Sequence, residues 1–192
     1  MKRLELEFTS DAIAIAELST IPSGLKATDS ATKAADVDIL FAGSIHPGKF
    51  LLCMQGGVLE TELALSAAKT CSVHAHIDSV HLPFPHPQLR NEQHLQVGRN
   101  EPALLSVETF TVPSLLLGLD RILKSTDCTL RLKHLGDHLG GKSLAVLDGE
   151  LHDIQMAETL LRTHMSQVLI SDIQTIARPS DSFVSAFLKS IR

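Results

Sequence analysis

The chain alternates short apolar runs with longer segments in which apolar residues recur at helical spacing, and it does so twice. An apolar run at 13–18 predicts a first strand, and Thr20-Ile21-Pro22-Ser23 follows it. There Pro fixes φ, and Ser is suited to cap the helix that comes next. That helix is predicted over 24–35, with Leu25, Ala31 and Ala35 spaced for one buried face. A strand with period-two alternation follows, with Val37, Ile39 and Phe41 on its inner face. The glycine-bearing loop GSIHPGK at 43–49 leads into an apolar strand at 50–54, ended by Gly56. A second helix over about 59–69 and a last strand over about 75–82 complete a β-α-β-β-α-β order, which suggests a ferredoxin-like sandwich.

The same order returns in the second half. It comprises a strand at 104–109, a helix over 115–125 with Leu116, Leu119 and Leu123 on one face, and an alternating strand. In that strand Cys128, Leu130 and Leu132 point inward while Thr129, Arg131 and Lys133 point to water. The loop HLGDHLGGK at 134–142, a strand at 144–147 ended by Gly149, a helix over 153–164 and a strand over 167–176 finish the unit. An offset that places Glu17 on Glu108 also places Thr20 on Thr111, Pro22 on Pro113, Ser23 on Ser114, Asp29 on Asp120, Lys33 on Lys124 and Asp36 on Asp127. After a short insertion, Gly48 falls on Gly141, Lys49 on Lys142 and Gly56 on Gly149. A repeat of this kind marks a duplicated structural unit. The fold class is therefore α/β (α+β), with tandem domains at 1–90 and 103–192 and a linker at 91–102 in a stretch rich in Pro, Asn, Gln and His.

Composition narrows the function. With 44% hydrophobic and 20% charged residues among 192, the chain can bury a core. A net charge of −5 offers no basic surface for nucleic acid. No apolar run approaches the roughly 20 residues that cross a bilayer, and Glu5, Glu7 and Asp11 stand where a signal peptide is apolar, so a cytoplasmic protein without a membrane partner is expected. Cys53, Cys71 and Cys128 are widely spaced and read as reduced core thiols. Without Trp or Tyr there is little from which to build a stacking platform for bases or sugars. The recurring acids Glu17, Glu108, Asp29 and Asp120 have no His or nucleophile at a catalytic spacing, and GGK at 140–142 lacks the full phosphate-loop pattern. No enzymatic activity is expected.

These residues resemble the shell domain of bacterial microcompartments, whose hexagonal tiles wall off metabolic enzymes. The resemblance runs from Ile13 to Pro179 in two tandem copies of unpermuted order. It is carried by the opening strands with Glu17 and Glu108, the helix ends KAADV at 33–37 and KSTDC at 124–128, the loop at 43–49 and the strand-then-Gly pattern at 49–58. Within the family, SIHPGKFLLCMQGGV is most similar to the propanediol-utilisation tandem type, which holds an iron–sulfur cluster in its pore; His46 stands where that type has Cys.

The resemblance implies a homotrimer of fused domains, a pseudohexagonal disc that packs with other shell proteins in the bacterial cytoplasm. Its central pore would pass small metabolites, ions or electrons. The implied pore residues are Gly43, Ser44, Ile45, His46, Pro47 and Gly48, with His134, Asp137 and His138 from the second copy. Lys33 and Lys124 match the family's tile-edge lysine and Arg178 its nearby basic residue, whereas the first copy has Phe84-Pro85-His86 where an Arg is expected. Threefold symmetry would turn one His46 into a ring of imidazoles. Two roles stand open for that ring: a ligand set for Zn, Fe, Cu or Ni, or the polar lining of a solvent-filled pore. An iron–sulfur cluster fits His less well than thiolate. His74, His76, His81 and His86 read as ordinary strand-end residues. The rival from another class is a trimeric ferredoxin-like sensor that binds a small molecule between subunits.

Overall fold

The computed structural model describes residues 6–90, 103–136, 139–164 and 169–190. The first copy comprises β1 (Ala12–Leu18), α1 (Ile21–Ala34), β2 (Asp38–Ile45), β3 (Lys49–Gly56), α2 (Val58–Cys71) and β4 (His76–Pro83). The second comprises β5 (Ala103–Thr109), α3 (Val112–Ser125), β6 (Thr129–His134), β7 (Ser143–Gly149), α4 (Leu151–His164) and β8 (Ile170–Ala177), and a further helix, α5 (Asp181–Ser190), follows. The expected linker at 91–102 lies outside the described residues. Each copy forms one sheet, ordered β2-β3-β1-β4 and β6-β7-β5-β8, with every neighbouring pair antiparallel. This is the ferredoxin-like order, two tandem units of the kind the sequence predicts.

Both leading helices start earlier than the apolar spacing suggests, at Ile21 and Val112. Pro22 and Pro113 sit in the first turn, where a missing N–H has no helical partner to lose. The cap also differs from the expected serine. Thr111 Oγ1 accepts a hydrogen bond from Ser114 N at 3.3 Å, while Thr20 makes no side-chain cap bond.

In the first copy, α1 and α2 cover one sheet face. Ala27, Ala31, Ala64, Leu65 and Ala68 meet Ala14, Ala16, Phe50, Leu52 and Met54 in one cluster. Small helix residues let the backbones approach, and Gly24 is the extreme case: a Cβ there would lie 2.0 Å from Phe50 Cγ. The second copy inverts the pair, with Leu115 at the place of Gly24 and Ser143 at the place of Phe50, both buried. The bulk has moved from sheet to helix.

The opposite face of the first sheet is covered by the second copy. Ile13, Ile15, Leu51, Cys53, Val80 and Leu82 join Val112, Leu116 and Leu119 of α3 in a single core, so α3 lies between the two sheets. At about 1.5–3 kcal/mol for each fully buried aliphatic side chain, this shared core binds the copies into one body.

The expected apolar positions are buried at Cys128, just before β6, and at Leu130 and Leu132 within it, but β2 lacks the alternation. Asp38 and Ile39 are exposed, Leu40 and Phe41 are half-buried, and the register shifts between Ile39 and Phe41, which marks a bulge. Nor is every outward position of β6 wet. Lys133 is buried, and its Nζ donates to Leu89 O at 2.7 Å.

We expect Gly24→Ala to lower the urea midpoint by the equivalent of about 1–3 kcal/mol, as overpacking does. Gly24→Leu should be less damaging beside Phe50→Ser, the pairing the second copy uses, than alone. Equal losses with and without Phe50→Ser would sink this account of the layer.

Candidate assembly surfaces and hairpin tip

The repeated polar residues converge where the two copies meet. Glu17, fully buried on β1, accepts from Lys49 Nζ at 2.6 Å through Oε1 and from Val112 N at 2.9 Å through Oε2. Val112 N belongs to the first turn of α3 and has no partner inside the helix, so the carboxylate of one copy satisfies the helix start of the other. Lys49 Nζ donates as well to Phe110 O at 3.1 Å and Gly141 O at 3.4 Å. Burial pushes the Glu17 carboxyl above its ordinary range, against the opposing pull of Lys49 and Val112 N. Asp78 on β4 accepts from Ser114 Oγ at 2.7 Å and from Thr111 Oγ1. Further along α3, Asp120 Oδ1 accepts from His86 N at 2.8 Å, and Lys124 Nζ donates to Asp120 Oδ2 at 2.7 Å and Pro83 O at 3.4 Å.

The counterparts of these groups are open. On the second copy, Lys142 Nζ and Ser171 Oγ donate to Glu108 Oε1 at 2.7 and 2.8 Å, and these bonds hold the Glu108 carboxyl below the usual range. Asp172, the counterpart of Asp78, is exposed. On α1, Ile21 is 41% and Leu25 61% exposed, whereas Val112 and Leu116 at the same positions of α3 are 0% and 2%. Asp29 and Lys33 pair with each other at 2.7 Å on the surface. Each half of the interface thus occurs twice and is used once.

The segment expected as a loop at 43–49 is mostly strand. Gly43, Ser44 and Ile45 belong to β2, and the turn is His46-Pro47-Gly48, joined by a cis His46–Pro47 peptide and closed by Gly48 N donating to Ile45 O at 2.9 Å. Gly48 has φ 112°, a conformation that favours glycine. His46, Pro47 and Gly48 are exposed, but Ile45 is buried and points at the second copy: a Cβ on Gly136 would lie 3.0 Å from Ile45 Cδ1. The two hairpin tips touch, since a Cβ on Gly141 would lie 2.5 Å from His46 O and 3.0 Å from Pro47 Cδ. His134 ends β6 and is half-buried, and Asp137 and His138 lie outside the described residues. Arg178, just past β8, is exposed with φ 53°.

The other histidines are dispersed. His74 lies 3.3 Å from Ser23 Oγ, His81 lies 2.9 Å from Thr61 Oγ1, and His86 Nδ1 accepts from Gln88 N at 3.3 Å. Among the described residues, no three His, Cys, Asp or Glu of one chain are placed to hold a metal. Cys53 is fully buried, and burial pushes its thiol far up, away from the thiolate that a cluster needs. Two features escape the sequence reading. The 3-10 turn Pro87–Leu89 has a single apolar residue to announce it, whereas α5 carries a readable signal in Phe183, Val184, Phe187 and Leu188.

Known proteins share this architecture. The family model described as the BMC domain matches residues 12–85. The chain is 31% identical over 175 residues to the bacterial microcompartment shell protein PduT of Citrobacter freundii, across 90% of this chain and 95% of that one. A solved microcompartments protein from Desulfitobacterium hafniense DCB superposes with TM-score 0.71 at 28% identity, covering 92% of this chain and 99% of the other. The fused permuted hexameric shell protein MSM0275 from the RMM microcompartment shares the fold, with TM-score 0.58 at 15% identity over 83% of each chain. With two BMC-type units in one body and a relative matched along nearly its whole length, the chain belongs to the BMC-domain shell proteins of bacterial microcompartments.

Proposed function

We propose that three chains close head to tail into a pseudohexameric ring, which serves as a structural tile with a central pore and not as an enzyme. One observation carries this reading: the surfaces that join the copies within the chain recur, uncovered, at its two ends. The α1 face of Ile21, Leu25 and Asp29 has the pattern that α3 buries, and the β8 side with Glu108, Lys142 and Asp172 has the groups that receive α3 in the first copy. A contact between two unlike surfaces propagates around an axis and closes when the rotation permits. Because the first hairpin tip touches the second within the chain, repeating that step would bring all the tips around one axis and leave an opening edged by His46, Pro47 and Gly48. Small metabolites or ions would pass there. Lys33, Lys124 and Arg178 are assigned to contacts with neighbouring tiles of the shell, a role supported by their match to the family's edge residues.

Sedimentation should give a mass near three times 20.8 kDa. Leu25→Glu should give a monomer with an unchanged circular dichroism spectrum. A monomeric wild type, or a trimer indifferent to Leu25→Glu, refutes the ring. Hexagonal sheets in electron micrographs would separate the tile from a small-molecule sensor, which forms discrete trimers.

His46 is assigned to a ring of imidazoles at the axis, able to hold Zn, Fe, Cu or Ni where a thiolate cluster has no ligand. Purified protein should then carry about one metal ion per trimer, lost in His46→Ala. Metal content unchanged by that substitution, or none in either protein, leaves His46 as pore lining only.

Acid should act on Glu108 in a defined direction. In the dissociated chain its folded pKa is depressed, so its contribution to stability there is full above the ordinary carboxylate value and is lost as pH falls through the folded value. Glu108→Gln in the Leu25→Glu monomer should therefore flatten the acid limb of denaturation midpoint against pH, and an unaltered limb would contradict the assigned bonds.

A further inference from the structure

The chain leaves both sheets in the same way. Phe84 after β4 and Arg178 after β8 take left-handed backbone, φ 48° and 53°, and Pro85 and Pro179 follow them. In the first copy, what comes next crosses to the second. His86 N donates to Asp120 Oδ1 at 2.8 Å. Gln88 lays its amide along the outer edge of β6, with Nε2 donating to Cys128 O at 3.4 Å and Oε1 accepting from Leu130 N at 2.7 Å. Lys133 Nζ holds Leu89 O, and the Leu89 side chain is fully buried in the core that joins the copies.

Part of this latch has a counterpart, although Ser182 and Ala42 stand at the places of Gln88 and Lys133 and supply neither amide nor ammonium. By register, Ser180 matches His86 and Phe183 matches Leu89. On the receiving side, Asp29 matches Asp120, Val37 matches Cys128 and Ile39 matches Leu130. These counterparts are more exposed: Phe183 is 39% exposed against 0% for Leu89, and Ile39 is 37% exposed against 4% for Leu130. Asp29 is exposed on α1, and β2 is the outer strand of its sheet.

We propose that α5 is a clasp between chains, docking on the first copy of the neighbouring chain with Phe183 entering between α1 and β2 there, as Leu89 lies against α3 and β6 within the chain. Ser180 N then reaches the neighbour's Asp29. Where the first copy uses a single buried leucine, Val184 follows Phe183 at the matching place. It also covers the bulged, apolar edge of β2, which otherwise presents unpaired backbone groups to solvent. The occupant is thus a second copy of this chain, and the proposal rests on the trimer reading.

The test is a disulfide between chains. In a Cys71→Ser background, Phe183→Cys with Ile39→Cys should, on mild oxidation, give covalently linked pairs and threes of chains on a non-reducing gel, and neither cysteine alone should do so. Phe183→Asp should raise the concentration at which the wild-type assembly dissociates by about tenfold, with the circular dichroism spectrum unchanged. A monomeric wild type overturns the ring and the clasp together. A wild-type trimer that forms no such link and whose dissociation Phe183→Asp leaves unmoved overturns the clasp alone.

Discussion

A carboxylate with no access to water holds the two halves of this molecule in register. Glu17 lies in the shared core, and its two oxygens meet an ammonium from its own copy and a helix N–H from the other. Val112 N begins a helix and has no acceptor within it, and the largely buried Lys49 ammonium also donates to Phe110 O and Gly141 O of the second copy. Removing one member of such a set leaves a buried charge or donor uncompensated, at a cost of about 3–5 kcal/mol. Its directional bonds also fix where α3 sits on the first sheet, which apolar contact alone does less sharply. Asp78 with Thr111 and Ser114, and Asp120 with His86, extend that positioning along the same helix.

The two copies place the same residue types in different surroundings. Glu17 and Glu108 occupy equivalent positions on β1 and β5, yet burial raises the first carboxyl and hydrogen bonds lower the second. The helices diverge likewise. α3 buries Val112 and Leu116, while α1 exposes Ile21 and Leu25 at the matching places. Apolar residues at the surface of one copy therefore carry the imprint of a contact that the other copy makes. Inside each copy the constraint is volume, and Gly24 with Phe50 does the work that Leu115 and Ser143 do in the second.

The shell role follows from architecture and not from a catalytic cluster. The hairpin tip concentrates unusual backbone, a cis peptide and a left-handed glycine, on an exposed three-residue turn. Among the described residues, no three His, Cys, Asp or Glu of one chain gather at that turn.

Much of this was legible in the residues alone. The duplicated pattern of apolar strands and Ala- or Leu-faced helices determined the order of elements in both copies, because side-chain periodicity reflects local geometry. The recurrence of Glu17, Thr20, Ser23, Asp29 and Lys33 in the second half marked them as a set. Only the tertiary structure decided what the set is for. Repetition reads as a feature inside each copy, whereas Glu17 and Asp78 bond to the other copy's helix, a pairing of residues far apart in sequence that no local pattern encodes. For the same reason β2 read as half-buried and Ile45 as part of a loop. Whether an alternating strand is covered depends on its place in the sheet and on what packs over it, and these are set when the chain closes on itself.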